Sequence, residues 1–260
     1  MGSRLKNPPV YFTLAQVRFN PILKLSDYLA SIQDSLRRTG FPDFVRHAGV
    51  VISINFEAGQ PAPTPQSQER YAFGNSTKTH GFLLDSGSLT FQSTDYGDFN
   101  LFAKSFLEGL ETIHSIVHLD FVERVGLRYL DLIAPLAGDS LSDYLAPEAF
   151  GMSAKLGGGL AHSYCETLTE FPAAKLLSRV FTRTGPIGFP PDLFPMGLQV
   201  ATKFQSTNER HAILDNDGFI DRRIPFSIDT VKSHLDAVHG VIRDAFRTTA
   251  APHAFKMWDK

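Results

Sequence analysis

Two arginines flank a glycine in the segment Phe121–Ile133, and this spacing is the strongest chemical signal in the chain. The segment alternates as a β-strand does, and the side chains of a strand point to opposite faces at successive residues. Arg124, Gly126 and Arg128 therefore share one face. A guanidinium group is a planar fork of donors that suits a carboxylate or a phosphate, and the glycine would let a ligand reach the backbone. The pattern predicts an anion-binding site.

Two interpretations of this polar face are open. Gln16 and Arg18 on the first strand would extend the polar face if the two strands were neighbours. The candidate anion site then comprises Gln16, Arg18, Arg124, Gly126 and Arg128. Alternatively, the arginines form internal salt bridges with acids such as Asp120 or Asp143, or lie on a solvated sheet face. The sequence leaves this choice open.

Residues 215–218, Asp-Asn-Asp-Gly, resemble part of a calcium loop. Aligning Gly218 with the glycine of an EF-hand places Ile213 and Ile224 at two positions that need oxygen ligands. An Asn-Asp-Gly turn between two strands explains the segment better, and we predict a hairpin there.

A second cluster, residues 162–166, contains His162, Ser163, Cys165 and Glu166. In a strand, Ser163 and Cys165 share one face and His162 points to the other. No Gly-x-Ser-x-Gly surrounds the serine, and a catalytic cysteine needs a nearby base. We interpret Cys165 as a small buried residue.

His114 and His118 have the i,i+4 spacing of a zinc-binding pair. The sequence has no His-Glu-x-x-His and only one cysteine, and the dipole at a helix C-terminus explains His118. Phosphate-binding and dinucleotide-binding glycine motifs are also missing from the sequence. We therefore predict no cofactor and no metal.

The composition indicates a soluble protein with a large core. Of 260 residues, 43% are hydrophobic and 22 are phenylalanine, as in a sheet protein with an aromatic core. The net charge of −2 gives no general attraction for nucleic acid. The single cysteine fits a reducing cytoplasm, and no apolar run approaches the ~18 residues that span a bilayer. Without a signal-peptide segment, we expect a cytoplasmic protein that does not contact membranes.

The pattern of apolar residues predicts the elements that position the candidate site. Strands are expected at Val10–Phe19, 49–56, 70–75, 80–93 with a turn at 85–88, Phe121–Ile133, 162–171, 177–183 and 196–204. Helices are expected at 26–38, 99–118 and 227–246, the last with Ser227 as its cap. Residues 59–68 are polar and rich in proline, which predicts a loop.

These elements predict an α+β fold with mostly antiparallel sheets, because strands outnumber helices and the connections are short. Residues 1–136 and 137–260 have a similar order of elements: hairpin strands, a long capped helix and a short tail. We therefore predict two related halves, closely packed, each a sheet covered by one long amphipathic helix.

The chain resembles a sporadically distributed family of bacterial proteins of about the same length, which has no assigned activity. The resemblance is carried by the segments Val17-Arg18-Phe19, 124–133 and 213–217, and by a final helix with His239, Phe246 and Thr249. The family usually has asparagine where this chain has Asp131. The resemblance implies a soluble α+β protein. A patchy distribution would suggest cargo of mobile genetic elements, such as a defence or toxin–antitoxin module.

Two functions are compatible with these observations. The first is a non-enzymatic binding protein whose partner is another protein or a small anionic ligand; a homodimer is compatible with it, and nucleic acid is not expected. The second is an enzyme that acts on a phosphate or carboxylate substrate, with Arg124 and Arg128 as the anion clamp and a histidine such as His162 as the base. We favour the first, because the sequence reveals no linked nucleophile, base and orienting group.

Overall fold

One antiparallel sheet forms the centre of the molecule. The computed structural model describes residues 5–55, 62–193, 195, 197–205 and 209–260. Nine strands occur in this part of the chain: β1 (Val10–Phe19), β2 (Asp43–Asn55), β3 (Ala62–Gly74), β4 (His80–Asp85), β5 (Ser88–Ser93), β6 (Phe121–Ile133), β7 (Ser163–Glu170), β8 (Lys175–Thr184) and β9 (Arg210–Pro225). They pair in the order β2-β3-β4-β5-β1-β6-β9-β8-β7, which places β1 and β6 in the middle.

The helices differ widely in length. They are α1 (Leu25–Arg38), α2 (Phe99–Val117), α3 (Leu141–Tyr144), α4 (Thr202–Gln205), α5 (Ile228–Thr249) and α6 (Pro252–Trp258), and a 3-10 segment spans Pro147–Ala154. Asp98 and Ser227 cap the two long helices, because their side chains accept hydrogen bonds from the first-turn backbone. No helix in the described ranges is long and apolar enough to cross a membrane.

The main core lies between α1, α2, α5 and one face of the sheet. Alternate residues of β1 and β6 enter it, including Ala15, Val17, Val125 and Leu127, all of which are buried. The opposite residues of both strands face the other side of the sheet, where the candidate arginines lie.

A second apolar cluster covers part of that other face. Leu193 and Phe204, from the segment between β8 and β9, pack there with Phe12, Leu130 and Leu132. At this end, the two central strands are therefore covered on both faces, and any charge on them lies close to apolar material.

Much of the predicted architecture is confirmed. The fold is α+β with antiparallel pairing, β1 and β6 have the predicted bounds, and α2 and α5 occur near the predicted positions. The β4–β5 turn occurs as predicted, with Asp85 accepting hydrogen bonds from the Gly87 nitrogen and the Ser88 hydroxyl, both at 2.9 Å. The strands, however, form one continuous sheet instead of separate sheets, because β1 pairs with β6 along most of its length.

The predicted hairpin at residues 216–218 is wrong. β9 runs without a turn from Arg210 to Pro225, and these residues pair with β6 on one side and β8 on the other. Gly218 is needed for packing: a Cβ there would lie 2.7 Å from Val238 of α5 and 3.0 Å from Ile242.

Three other segments differ from prediction. Residues 196–204 do not form a strand in their described part, since this stretch lies across the sheet as irregular chain that ends in α4. β2 begins at Asp43, earlier than predicted. Of the predicted loop at 59–68, residues 62–68 belong to β3, and 59–61 lie outside the described residues. Proline fits there because residues 62–70 of β3 pair with β2 alone.

Two mid-helix glycines test the packing of the helices on the sheet. A Cβ at Gly109 of α2 would lie 2.3 Å from the ring of buried Phe82, whereas a Cβ at Gly240 of α5 would meet nothing within 4 Å. We expect Gly109→Ala to lower the free energy of unfolding by about 1–3 kcal/mol. Gly240→Ala, the matched control, should raise it by roughly 0.5–1 kcal/mol through helix propensity. Urea denaturation measures both, and equal effects of the two substitutions would contradict the packing described here.

Candidate functional site

The pairing of β1 with β6 brings the candidate residues onto one sheet face. Gln16 lies opposite Gly126, Arg18 lies opposite Arg124, and Arg128 lies opposite Leu14. We call this surface the arginine face. Its strands are held in register by backbone pairing on both sides, so its side chains start from fixed positions.

Arg128 is fully engaged by two carboxylates. Its Nε and Nη2 donate to the two oxygens of Asp215 at 2.6 and 2.7 Å, and its Nη1 and Nη2 donate to Asp192 at 2.7 and 3.2 Å. The Arg128 side chain is 6% exposed and that of Asp215 is 0% exposed. Such paired bidentate contacts are the strongest that arginine makes with carboxylates. Arg128 therefore has little capacity left for a ligand.

These contacts stabilise the charged form of the Arg128 guanidinium. Burial alone would lower the pKa of Arg128, but the hydrogen bonds that it donates to Asp215 and Asp192 outweigh burial and raise the pKa above its usual range. The same hydrogen bond lowers the pKa of Asp192. Asp192 belongs to the segment that covers the sheet, so its contact with Arg128 also attaches that segment to β6.

The network continues toward the sheet edge through Arg179. Its Nη1 donates to Asp215 at 3.1 Å and its Nε donates to Glu166 on β7 at 2.8 Å. Hydrogen bonds from Tyr164 and Arg179 lower the pKa of Glu166. Asp215 thus lies between two guanidinium groups, and four strands contribute to one chain of ion pairs.

Arg124 has looser contacts than Arg128. Its Nη1 donates to Gln16 at 3.3 Å, and its nearest carboxylate oxygens, on Asp221 and Asp217, lie at 3.4 and 3.6 Å. Its guanidinium carbon lies 4.5 Å from the centre of the Phe219 ring, and its side chain is 19% exposed. The group is positioned by its neighbours without being saturated by them.

Gly126 leaves room for the side chain of Arg124. A Cβ at this position would lie 2.8 Å from Arg124 Nη1 and 3.3 Å from its Cζ. The guanidinium therefore lies directly over the glycine. The interpretation of the glycine as an opening to the backbone stays a prediction beside this packing role.

A cavity of about 260 Å³ opens beside these groups. Its lining includes Gln16, Arg124, Arg128 and, from the acidic partners, Asp192 and Asp217. Burial raises the pKa of Asp217, and the charge of Asp215 adds to this effect, while the nearby arginines act in the opposite direction. The cavity thus offers both donors and acceptors to a small polar group.

Arg18 is exposed on this face and does not line the cavity. The other residues singled out in the sequence lie elsewhere. His162 is exposed and immediately precedes β7, three strands away from β6, or roughly 14 Å. His114 accepts a hydrogen bond from the Leu119 nitrogen, and His118 ends α2 in the left-handed region, with φ 55°. Cys165 is half-buried.

The sequence predicted salt bridges as an alternative but not their partners. In the described chain, Asp120 and Asp143 have other partners than these arginines: Asp120 accepts a hydrogen bond from Asn20, and Asp143 accepts one from Ser140. The true partners on β9 are Asp215, Asp217 and Asp221, which share one strand face at alternate positions. The alternate spacing of these aspartates could have identified them as partners of the arginines. The predicted hairpin concealed it, because it assigned Asp215 and Asp221 to two different strands.

No protein-family model matches this chain, and no curated protein matches it significantly. The argument for a function therefore starts from the arginine face itself.

The two arginines should differ sharply in their contribution to stability. Arg128→Ala leaves Asp192 and the buried Asp215 without their main counter-charge, so we expect the free energy of unfolding to fall by about 3–5 kcal/mol. Arg124→Ala, a control on the same strand and face, should cost at most about 1 kcal/mol. Urea denaturation at neutral pH measures both values. A loss of stability for Arg128→Ala no larger than that of the control would show that the Arg128–Asp215 pair is not buried as described.

Proposed function

We propose that this chain is a non-enzymatic binding protein that recognises a carboxylate or phosphate group through Arg124 on the arginine face. The anionic group would belong to a small ligand or to a side chain of a protein partner. The observation that carries the proposal is the contrast between the two arginines. Arg128 is saturated by Asp215 and Asp192, whereas Arg124 lines the cavity with contacts of 3.3–3.6 Å.

The surroundings of Arg124 favour recognition of an anion. Phe219 and Gly126 support the flat guanidinium from below, and Gln16 fixes one of its nitrogens. An incoming oxyanion would replace the long contacts to Asp217 and Asp221 with short bidentate hydrogen bonds. Asp217, whose pKa is raised by burial, would accept a proton more readily than an ordinary aspartate as that anion approaches.

The arrangement gives less support to an enzyme. A general base must lie within hydrogen-bond reach of the group from which it takes a proton. His162 is roughly 14 Å from β6 on strand spacing alone. In the described residues, no group of three metal-ligating side chains could hold a metal ion in its place.

We also propose that the chain contains two related halves, with the boundary between α2 and β6 instead of at residues 136–137. β1 leads through a helical crossover to a meander whose last strand, β5, pairs back on β1 and precedes the long helix α2. β6 leads in the same way to β9, which pairs back on β6 and precedes α5. The antiparallel pair of β1 and β6 would then join the two halves, and the arginine face would lie at their junction.

Titration with inorganic phosphate and with acetate tests the proposed function. We expect saturable binding by isothermal calorimetry that falls at least tenfold in Arg124→Gln, because the donor fork is lost, and is partly retained in Arg124→Lys. Arg247→Gln, an exposed arginine on α5, is the matched control and should bind as the native chain does. Equal binding by Arg124→Gln, or no binding by the native chain, would contradict the proposal.

A further inference from the structure

A small cavity lies on the opposite side of β6 from the arginine face. It occupies about 160 Å³ between the segment that leads into β1, strand β6 and helix α5. Most of its lining is apolar and includes Pro9, Val10, Ile242 and Phe246. Asp131 of β6 is the acidic group in this lining, and its side chain points to the helix-covered side of the sheet.

Asp131 is buried and has no counter-charge among the described residues. It is 6% exposed, and no hydrogen bond or ion pair joins its carboxylate to any residue of the described chain. Burial raises its pKa to about 7. A buried carboxylate is costly unless it is paired or binds a ligand, so a position of this kind marks a candidate binding site.

Aromatic side chains form the adjoining wall and are held in place by a chain of hydrogen bonds. The hydroxyl of Tyr96 lies 3.0 Å from that of Tyr129, which lies 3.3 Å from Nδ1 of His239. The His239 ring stacks on Phe99 with centroids 3.9 Å apart. Burial, followed by the charge of Arg243, lowers the pKa of His239 to about 4, so this ring is neutral at pH 7.

Arg243 is the basic residue of the lining, and it does not neutralise Asp131. Its guanidinium pairs with Asp244 at 3.1 Å, and its side chain is 50% exposed. The raised pKa of Asp131 has burial as its cause, without an opposing contribution from Arg243. The carboxylate therefore still lacks a positive partner in the part of the chain that the structure describes.

We propose that this cavity binds a small organic ammonium ion, with Asp131 as its counter-charge and the rings of Tyr96 and Tyr129 beside its alkyl groups. Aromatic faces attract alkylammonium ions through their quadrupole, and a carboxylate adds a full opposite charge. A cavity of ~150 Å³ holds a molecule the size of benzene, which is close to the size of tetramethylammonium. A bare metal ion fits poorly, because it needs several oxygen ligands and the cavity offers one carboxylate among apolar groups.

Calorimetric titration of the full chain with tetramethylammonium chloride at pH 8 tests the proposal, with sodium chloride to match ionic strength. We expect saturable binding that weakens at least tenfold in Asp131→Asn, which keeps the shape of the side chain and removes its charge. Asp34→Asn on the surface of α1 is the matched control and should leave binding unchanged.

Binding should also weaken from pH 8 to pH 6 as Asp131 takes up its proton. Among the facing groups, burial holds the pKa of Tyr129 well above this range and lowers that of His239 to about 4, and Arg243 is the basic residue of the lining.

A stability measurement confirms that Asp131→Asn acts on the buried charge. The pKa of Asp131 is higher in the folded chain than in the unfolded chain, so its ionisation makes stability fall as pH rises from about 4 to about 7. The Tm of Asp131→Asn relative to the native chain should therefore be higher at pH 8 than at pH 5. The proposal fails if tetramethylammonium does not bind saturably, if folded Asp131→Asn binds it equally well, or if neutral tert-butanol binds as tightly.

Discussion

The central strand of this sheet carries charge into a region that is covered on both faces, and the rest of the arginine face depends on how that charge is neutralised. Arg128 lies beside Leu130, which is buried under the segment between β8 and β9. A lone guanidinium there would be too costly. Asp215 from the neighbouring strand and Asp192 from the covering segment neutralise it together. The ion pairs thus link sheet order, the position of the covering segment and the local charge.

That constraint separates two arginines that look equivalent in sequence. Arg128, beside the covered end, is committed to structure, whereas Arg124, two positions before Gly126, keeps longer contacts and borders a cavity. The same alternation divides the two faces of β6, because Arg124 and Arg128 point to one side and Asp131 to the other. One strand therefore contributes the arginines to one face and a buried carboxylate to the opposite face. Both proposed ligands follow from this division.

The sequence was sufficient to predict strands and helices wherever the local pattern of residues determines them. Alternation defined β1 and β6, and the predicted cap Ser227 agrees with the start of α5. It was insufficient where packing overrode a local signal. Residues 216–218 have the composition of a turn, yet Gly218 is required by the close approach of α5. That error concealed the alternation of Asp215, Asp217 and Asp221, and with it the partners of both arginines.

The central claim is that Arg124 can receive an anion and Arg128 cannot. Nitrogen-15 NMR of arginine-labelled protein tests it directly, with each Nε–H signal assigned from Arg124→Lys and Arg128→Lys. On addition of inorganic phosphate, the account predicts a saturable shift of the Arg124 Nε–H signal. The Arg128 signal should stay fixed and exchange slowly with solvent, because Asp215 holds that proton at an Nε–oxygen distance of 2.6 Å. A shift of the Arg128 signal, or an unmoved Arg124 signal, would contradict the account.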